Sequence, residues 1–171
     1  MSVDYVIDDF QDAMRASNGA RWELISDRVM GGVSDGTARF AEVLGRQALH
    51  VQGTVSLENN GGFLQIAIEL DRDTGIFDAS DYRGIALQFR GDGERYGLHL
   101  RSADTRRPWQ SYRAQFTSSR EWMSYRLPFG SFVAHRTERP LAVERLRRLG
   151  IIAIGTARPV DFAVSQVSFY R

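Results

Sequence analysis

Apolar and polar positions alternate in short runs along most of this chain. Leu49, Val51, Gly53, Val55 and Leu57 are separated by His50, Gln52, Thr54 and Ser56, which predicts a strand with one buried face. Glu58-Asn59-Asn60-Gly61-Gly62 follows and has hairpin-turn chemistry, because Asn and Gly tolerate positive φ. Leu64, Ile66, Ile68 and Leu70 then alternate with Phe63, Gln65, Ala67 and Glu69. After a polar connection over 71–83, the same alternation marks Ile85/Leu87/Phe89, Tyr96/Leu98/Leu100, Tyr112/Ala114/Phe116 and Met123/Tyr125/Leu127. Gly91-Asp92-Gly93 is a tight turn between the first two of these, and Pro128 ends the last.

One segment has helical spacing. Pro140 stands where a first helical residue fits, Val143, Leu146 and Leu149 follow at intervals of three, and Gly150 supplies a stop. Ile151-Ile152-Ala153-Ile154 is apolar on both faces and reads as a central strand. Over residues 160–170 the alternation changes phase, from Phe162/Val164 to Val167/Phe169, which predicts a bulge near Ser165-Gln166. Many short strands with one short helix predict an all-β, two-sheet jelly-roll sandwich.

Composition narrows the function classes. The 171 residues are 43% hydrophobic and 25% charged, and no linker or repeat divides them, so a single domain over 1–171 is expected. The 22 basic residues, all Arg, nearly balance 21 acidic ones, which argues against a general nucleic-acid binder. A GC-rich bacterial genome accounts for Arg without Lys. Cys is absent, so there is no disulfide framework or thiolate chemistry. No apolar run approaches the ~18 residues of a membrane span. The N-terminus has no basic segment leading into an apolar one, so a cytoplasmic bacterial protein is expected.

The stretch from Trp22 through Asp27-Arg28-Val29-Met30-Gly31-Gly32-Val33-Ser34 resembles the opening signature of the complex I intermediate-associated protein 30 family. Further elements follow in the family's order: Asn60-Gly61-Gly62-Phe63, Arg90-Gly91-Asp92-Gly93 with Tyr96, Tyr112 with Phe116, and Trp122 leading to Leu127-Pro128-Phe129 and Phe132. The closing strand from Phe162 to Phe169 fits as well. Two positions depart: Gln65 and Ala67 stand where relatives tend to carry Ser and Arg. The resemblance implies a galactose-binding-like jelly roll. It also implies the role of the mitochondrial members, accessory factors that help assemble respiratory complex I and are absent from the finished enzyme.

Two constellations are candidates for binding. The first is the Asp27–Ser34 loop, where Gly31 and Gly32 allow close backbone approach beside Met30. It reads either as a contact loop for a partner, or as a turn in which Asp27 and Ser34 bond local amides and Met30 plugs the sandwich end. The second is a polar sheet face. If the apolar residues of these strands point inward, the opposite side collects Gln88, Arg90, His99, Arg101, Arg113 and Gln115, with Phe63 and Gln65 in the same orientation. Arg90 and Arg101 are then expected on one face with His99, provided the turn at 91–93 closes a hairpin. Such a face suits a protein partner, a respiratory-complex subunit if the resemblance extends to function, or a sugar, with planar guanidinium groups for carboxylates. Trp109, after Arg106-Arg107-Pro108, is a stacking or anchoring candidate. Trp122 reads as core or edge packing.

Catalytic signals are weak. His50, His99 and His135 lack metal-ligand spacing, so no metal or cofactor is expected. Asp8, Asp9 and Asp161 are at most contributors to a structural calcium site, and solvated surface is the simpler reading. Ser34 has no nucleophile-elbow context. The expectation is a non-catalytic binding or assembly factor, with a carbohydrate-binding module as the alternative.

Overall fold

The computed structural model describes residues 4–171. Among them are twelve strands: β1 (Tyr5–Asp8), β2 (Glu23–Ser26), β3 (Asp35–Val43), β4 (Arg46–Val55), β5 (Phe63–Glu69), β6 (Gly84–Arg90), β7 (Arg95–Ser102), β8 (Ser111–Thr117), β9 (Met123–Pro128), β10 (Val133–His135), β11 (Leu146–Ile154) and β12 (Arg158–Tyr170). The first sheet runs β3-β4-β12-β6-β9, with β1 also pairing β12, and the second runs β10-β8-β7-β11-β5-β2. Pairing is antiparallel throughout. This is the expected jelly-roll sandwich.

The alternating patterns supply its core. Leu49, Val51, Leu87, Phe89, Phe162 and Val164 of the first sheet meet Leu64, Ile66, Leu98, Leu100, Tyr112 and Ile151 of the second, all nearly inaccessible. Phe89 stacks on Phe162 with centroids 5.1 Å apart and meets the edge of Phe116 at 4.9 Å. Such offset and edge-to-face contacts add ~0.5–1.5 kcal/mol each beyond area burial. The bulge in β12 lies where the phase change put it: its register against β6 shifts between Val164 and Gln166. Trp122 is an edge residue, with its indole N–H on the Val43 carbonyl (3.0 Å) and the Arg46 guanidinium over its ring.

Three local readings are corrected. No helix follows Pro140; a single 3-10 turn at Val143–Arg145 runs straight into β11. The register of β11 against β7 shifts between Leu146 and Arg148, so Leu146 and Leu149 both point inward at a spacing of three. A bulge thus reproduces helical spacing inside a strand. Secondly, Gly91-Asp92-Gly93 closes no hairpin. β6 pairs β12 and β9, whereas β7 pairs β11 and β8, so the turn carries the chain from one sheet to the other. The return crossing from β8 to β9 straps it down: Ser118 N–H donates to the Glu94 carbonyl and Gly91 N–H to that of Ser119. Thirdly, residues 58–62 also cross between sheets, from β4 to β5. Asn59, Asn60 and Gly62 spend their positive φ on that crossing.

Candidate partner-binding site

β2 ends at Ser26, whose Oγ accepts the Arg28 N–H and opens a 3-10 turn over Asp27–Met30. Gly31, at φ 89°, closes the turn, a conformation that suits Gly. Inside it, the Asp27 carboxylate is fully buried. It accepts hydrogen bonds from the Ser34 N–H (2.9 Å), the Ser34 hydroxyl (2.5 Å), the Gly62 N–H (2.5 Å) and the Phe63 N–H (3.3 Å). Burial alone would raise its pKa, but the bonds from Ser34, Gly62 and Phe63 outweigh that, and the carboxyl sits below its ordinary value. No arginine pairs with it among the described residues.

Each glycine pair of the signature divides its labour. Gly31 (φ 89°) and Gly62 (φ 132°) serve backbone conformation. Gly32 and Gly61 serve space: a Cβ on Gly32 would lie 2.4 Å from the Asp27 carboxyl carbon, and one on Gly61 would lie 2.5 Å from Oδ2. Further bonds knit three loops together. Ser34 Oγ accepts the Ser56 N–H, Asn59 donates to the Gly31 carbonyl, and Gly155 N–H donates to that of Gly62. Asp27 and Ser34 therefore hold amides from inside, as one reading of the loop expected, but only the Ser34 amide is local; the Ser56, Gly62 and Phe63 amides come from distant segments. Met30 does not plug the sandwich end, though: it is 61% exposed and Val29 76%. The inward space is taken by the Asp27 carboxylate, so the next two apolar side chains are turned out. Leu57, Val33 and Ile154 are also exposed on or beside these loops. Sequence reasoning missed Val29, Leu57 and Ile154, since an apolar residue next to a glycine turn carries no sign of which way it faces.

The expected polar face is split. Phe63, Gln65, His99, Arg101, Arg113 and Gln115 lie on the outer side of the second sheet. Phe63 is opposite Ile154, Gln65 opposite Ile152, and His99 lies between Gly150 and Arg113. Gln88 and Arg90, on β6, face away from the other side of the sandwich, because the turn at 91–93 changes sheets. Arg90 Nε donates to the Arg120 carbonyl, and Gln88 Oε1 accepts from Ser124.

On the second sheet the residues differ in availability. Arg101 is a strap: Nη2 donates to the Thr105 and Arg107 carbonyls at 3.1 Å, holding the loop after β7, and its Nε is buried without a partner. Burial and the cations Arg147 and Arg148 lower its pKa. Arg113 Nε donates to the Ser111 hydroxyl. Burial, with Arg113 and His135 nearby, pushes the His99 pKa down to about 3, so its imidazole is neutral. Trp109 is 59% exposed, with the Arg107 guanidinium 6.0 Å from its ring. In the middle of the face the places left open by glycine are filled by neighbours: the Gln65 amide lies over Gly150, and Ile152, nearly inaccessible, lies between Gln65 and Gly97. His50 lies apart from the His99–His135 pair, and Asp8, expected as solvated surface, is buried instead. Asp8 takes the Trp22 indole N–H (2.8 Å) and Asp161 meets His50 (2.7 Å). Among the described residues no three metal-ligating side chains come together, and no helix is long and apolar enough to cross a membrane.

The fold is that of a jelly-roll module of the galactose-binding-like type. A family 11 carbohydrate-binding module from Clostridium thermocellum, in complex with a β-1,3-1,4-mixed-linked tetrasaccharide, matches with a TM-score of 0.74 at 14% identity, over 99% of this chain and 97% of that one. The family 11 module of the cellulosomal cellulase Lic26A-Cel5E of the same organism matches with a TM-score of 0.76 at 13% identity, over 99% and 95%. A family 30 carbohydrate-binding module gives 0.64 at 14% identity, over 99% and 100%. No curated protein shows a significant sequence match. The sequence model of the family described as Complex I intermediate-associated protein 30 matches residues 9–165, and the chain belongs to that family.

Proposed function

We propose that this protein is a non-catalytic binding factor that engages a protein partner through the Val29–Met30 turn, with Phe63 and the adjoining outer face of the second sheet as the flank. One observation carries the reading: two large apolar side chains stand in solvent on a turn whose backbone is fixed from within by the buried Asp27 carboxylate. Burying a Val or Met side chain contributes ~1.5–3 kcal/mol, and a prefixed turn loses little conformational entropy on docking. Family membership supports an assembly intermediate of respiratory complex I as the partner. The test is affinity capture from detergent-solubilised membranes of the source cell. Enrichment of NADH:ubiquinone oxidoreductase subunits over other membrane proteins is expected; their absence from the captured material would contradict the partner assignment.

A second reading rests on the outer face of the second sheet, where Gln65, His99, Arg113 and Gln115 gather on neighbouring strands around Ile152. A face that offers amides, a guanidinium and a neutral imidazole suits the hydroxyl groups of a saccharide, and the carbohydrate-binding modules that share the fold support it. Retardation in native gels cast with mixed-linked β-glucan would favour this reading over the first.

A further inference from the structure

The sandwich is open along one side. β2 is the edge of the second sheet and has four residues; β3 is the facing edge of the first and has nine. A strand that short leaves part of its opposite edge uncovered, and a cavity of about 340 Å³ lies between them. That is roughly twice the ~150 Å³ that holds a benzene in an apolar protein interior. Its floor reaches the core at Leu49 and Ile66, and Trp22 and Phe40 form its walls. Met14, 70% exposed, and Leu24, 39% exposed, are at the lip. Trp22 is held by the bond from its indole N–H to Asp8 and by stacking on Phe10 at 5.8 Å, so this wall is fixed.

Two arginines, Arg15 and Arg21, also line the cavity. Both are exposed, and neither has a hydrogen bond, ion pair or ring contact among the described residues. Neither neighbouring acid pairs with them: Glu23 pairs with Arg148, and the Asp12 carboxylate accepts the Met14 N–H. An open slot lined by apolar side chains and by two arginines without partners has the complementarity of a molecule that is apolar at one end and anionic at the other.

We propose that the gap between β2 and β3 binds a small amphipathic monocarboxylate, its hydrocarbon body against Trp22, Phe40 and Leu49 and its carboxylate on Arg15 and Arg21. The site lies apart from the Val29–Met30 turn and does not depend on its role.

Calorimetric titration with decanoate tests this, with decyltrimethylammonium as the cation of matching chain length. The expected result is saturable decanoate binding with a Kd below about 1 mM, and at least about tenfold weaker binding of the cation. Arg15→Gln/Arg21→Gln should weaken decanoate about tenfold, and Ala38→Phe, which fills the slot from β3, should abolish binding. The arginine variant alters exposed side chains only and keeps the test open if Ala38→Phe fails to fold. No saturable decanoate binding, equal binding of the cation, or affinity unchanged by the arginine variant would overturn the proposal.

Discussion

The Asp27 carboxylate and the Gly62 amide, 35 positions apart in the chain, are joined by a 2.5 Å hydrogen bond. Two signature segments that look independent in the sequence, Asp27-to-Ser34 and Asn60-to-Phe63, are thereby one structure with a single carboxylate at its centre. Its internal residues serve architecture, and its outward residues, Val29 and Met30, are free for contact.

Removing that carboxylate should be costly. Asp27→Ala would strand the Ser34, Gly62 and Phe63 amides, and an unsatisfied buried polar group costs ~1–3 kcal/mol. A loss of at least ~3 kcal/mol is expected in urea unfolding. A loss below ~1 kcal/mol would mean that water replaces the carboxylate and that the turn does not depend on it.

The two adjacent glycines should respond differently. Gly31→Ala meets open space but must keep a positive φ, at a cost of ~1–2 kcal/mol. Gly32→Ala would drive a methyl group into the Asp27 side chain and should cost more, with the Gly62 amide protection from hydrogen exchange falling in step. The opposite ranking in thermal unfolding would contradict the division of roles.

His99 gives the fold a pH dependence. Its pKa falls from 6.5 to about 3 on folding, chiefly through burial. Between those values the unfolded chain takes up a proton that the folded protein refuses. The contribution of His99 is therefore fully present above pH 6.5 and is lost as the pH drops toward 3, by up to ~1.4 kcal/mol per unit. Urea midpoints between pH 7 and 4 should fall more steeply for the wild type than for His99→Gln. Parallel profiles would show that the imidazole is not shielded. Asp27, with its pKa lowered, acts only below its ordinary value of 3.8, under most of this window.

Arg101 should behave as a structural residue. Arg101→Ala releases the Thr105 and Arg107 carbonyls and should cost ~1–3 kcal/mol, with faster proteolysis of the loop after β7. Leu98→Ala, fully inside the core, should cost ~2–5 kcal/mol. An Arg101 variant as stable as the wild type would restore that residue as a candidate contact.

The strands, the inward residues and the bulge in β12 were legible from alternation, because side-chain period is a local property that burial enforces. Sheet membership was not. Gly91-Asp92-Gly93 has the same chemistry whether it closes a hairpin or crosses the sandwich, and that ambiguity put Arg90 on the wrong face. The spacing of Val143, Leu146 and Leu149 misled for a related reason, since an inserted bulge residue imitates a helical turn. At the site, the glycines and Asp27 announced themselves by type. The outward direction of Val29 and Met30 depends on a carboxylate bonded to amides 35 and 36 positions away, which no local pattern encodes.

The central claim is tested most directly by recovering complex I subunits with wild-type protein and with Val29→Ser/Met30→Ser, alongside unfolding of both. These side chains touch little within the fold, so the double variant should change stability by no more than ~0.5 kcal/mol per site. Its affinity for the captured partner should fall by ~2 kcal/mol or more, a loss of about thirtyfold. Partner recovery equal to the wild type, at unchanged stability, would contradict the assignment of the Val29–Met30 turn as the docking element.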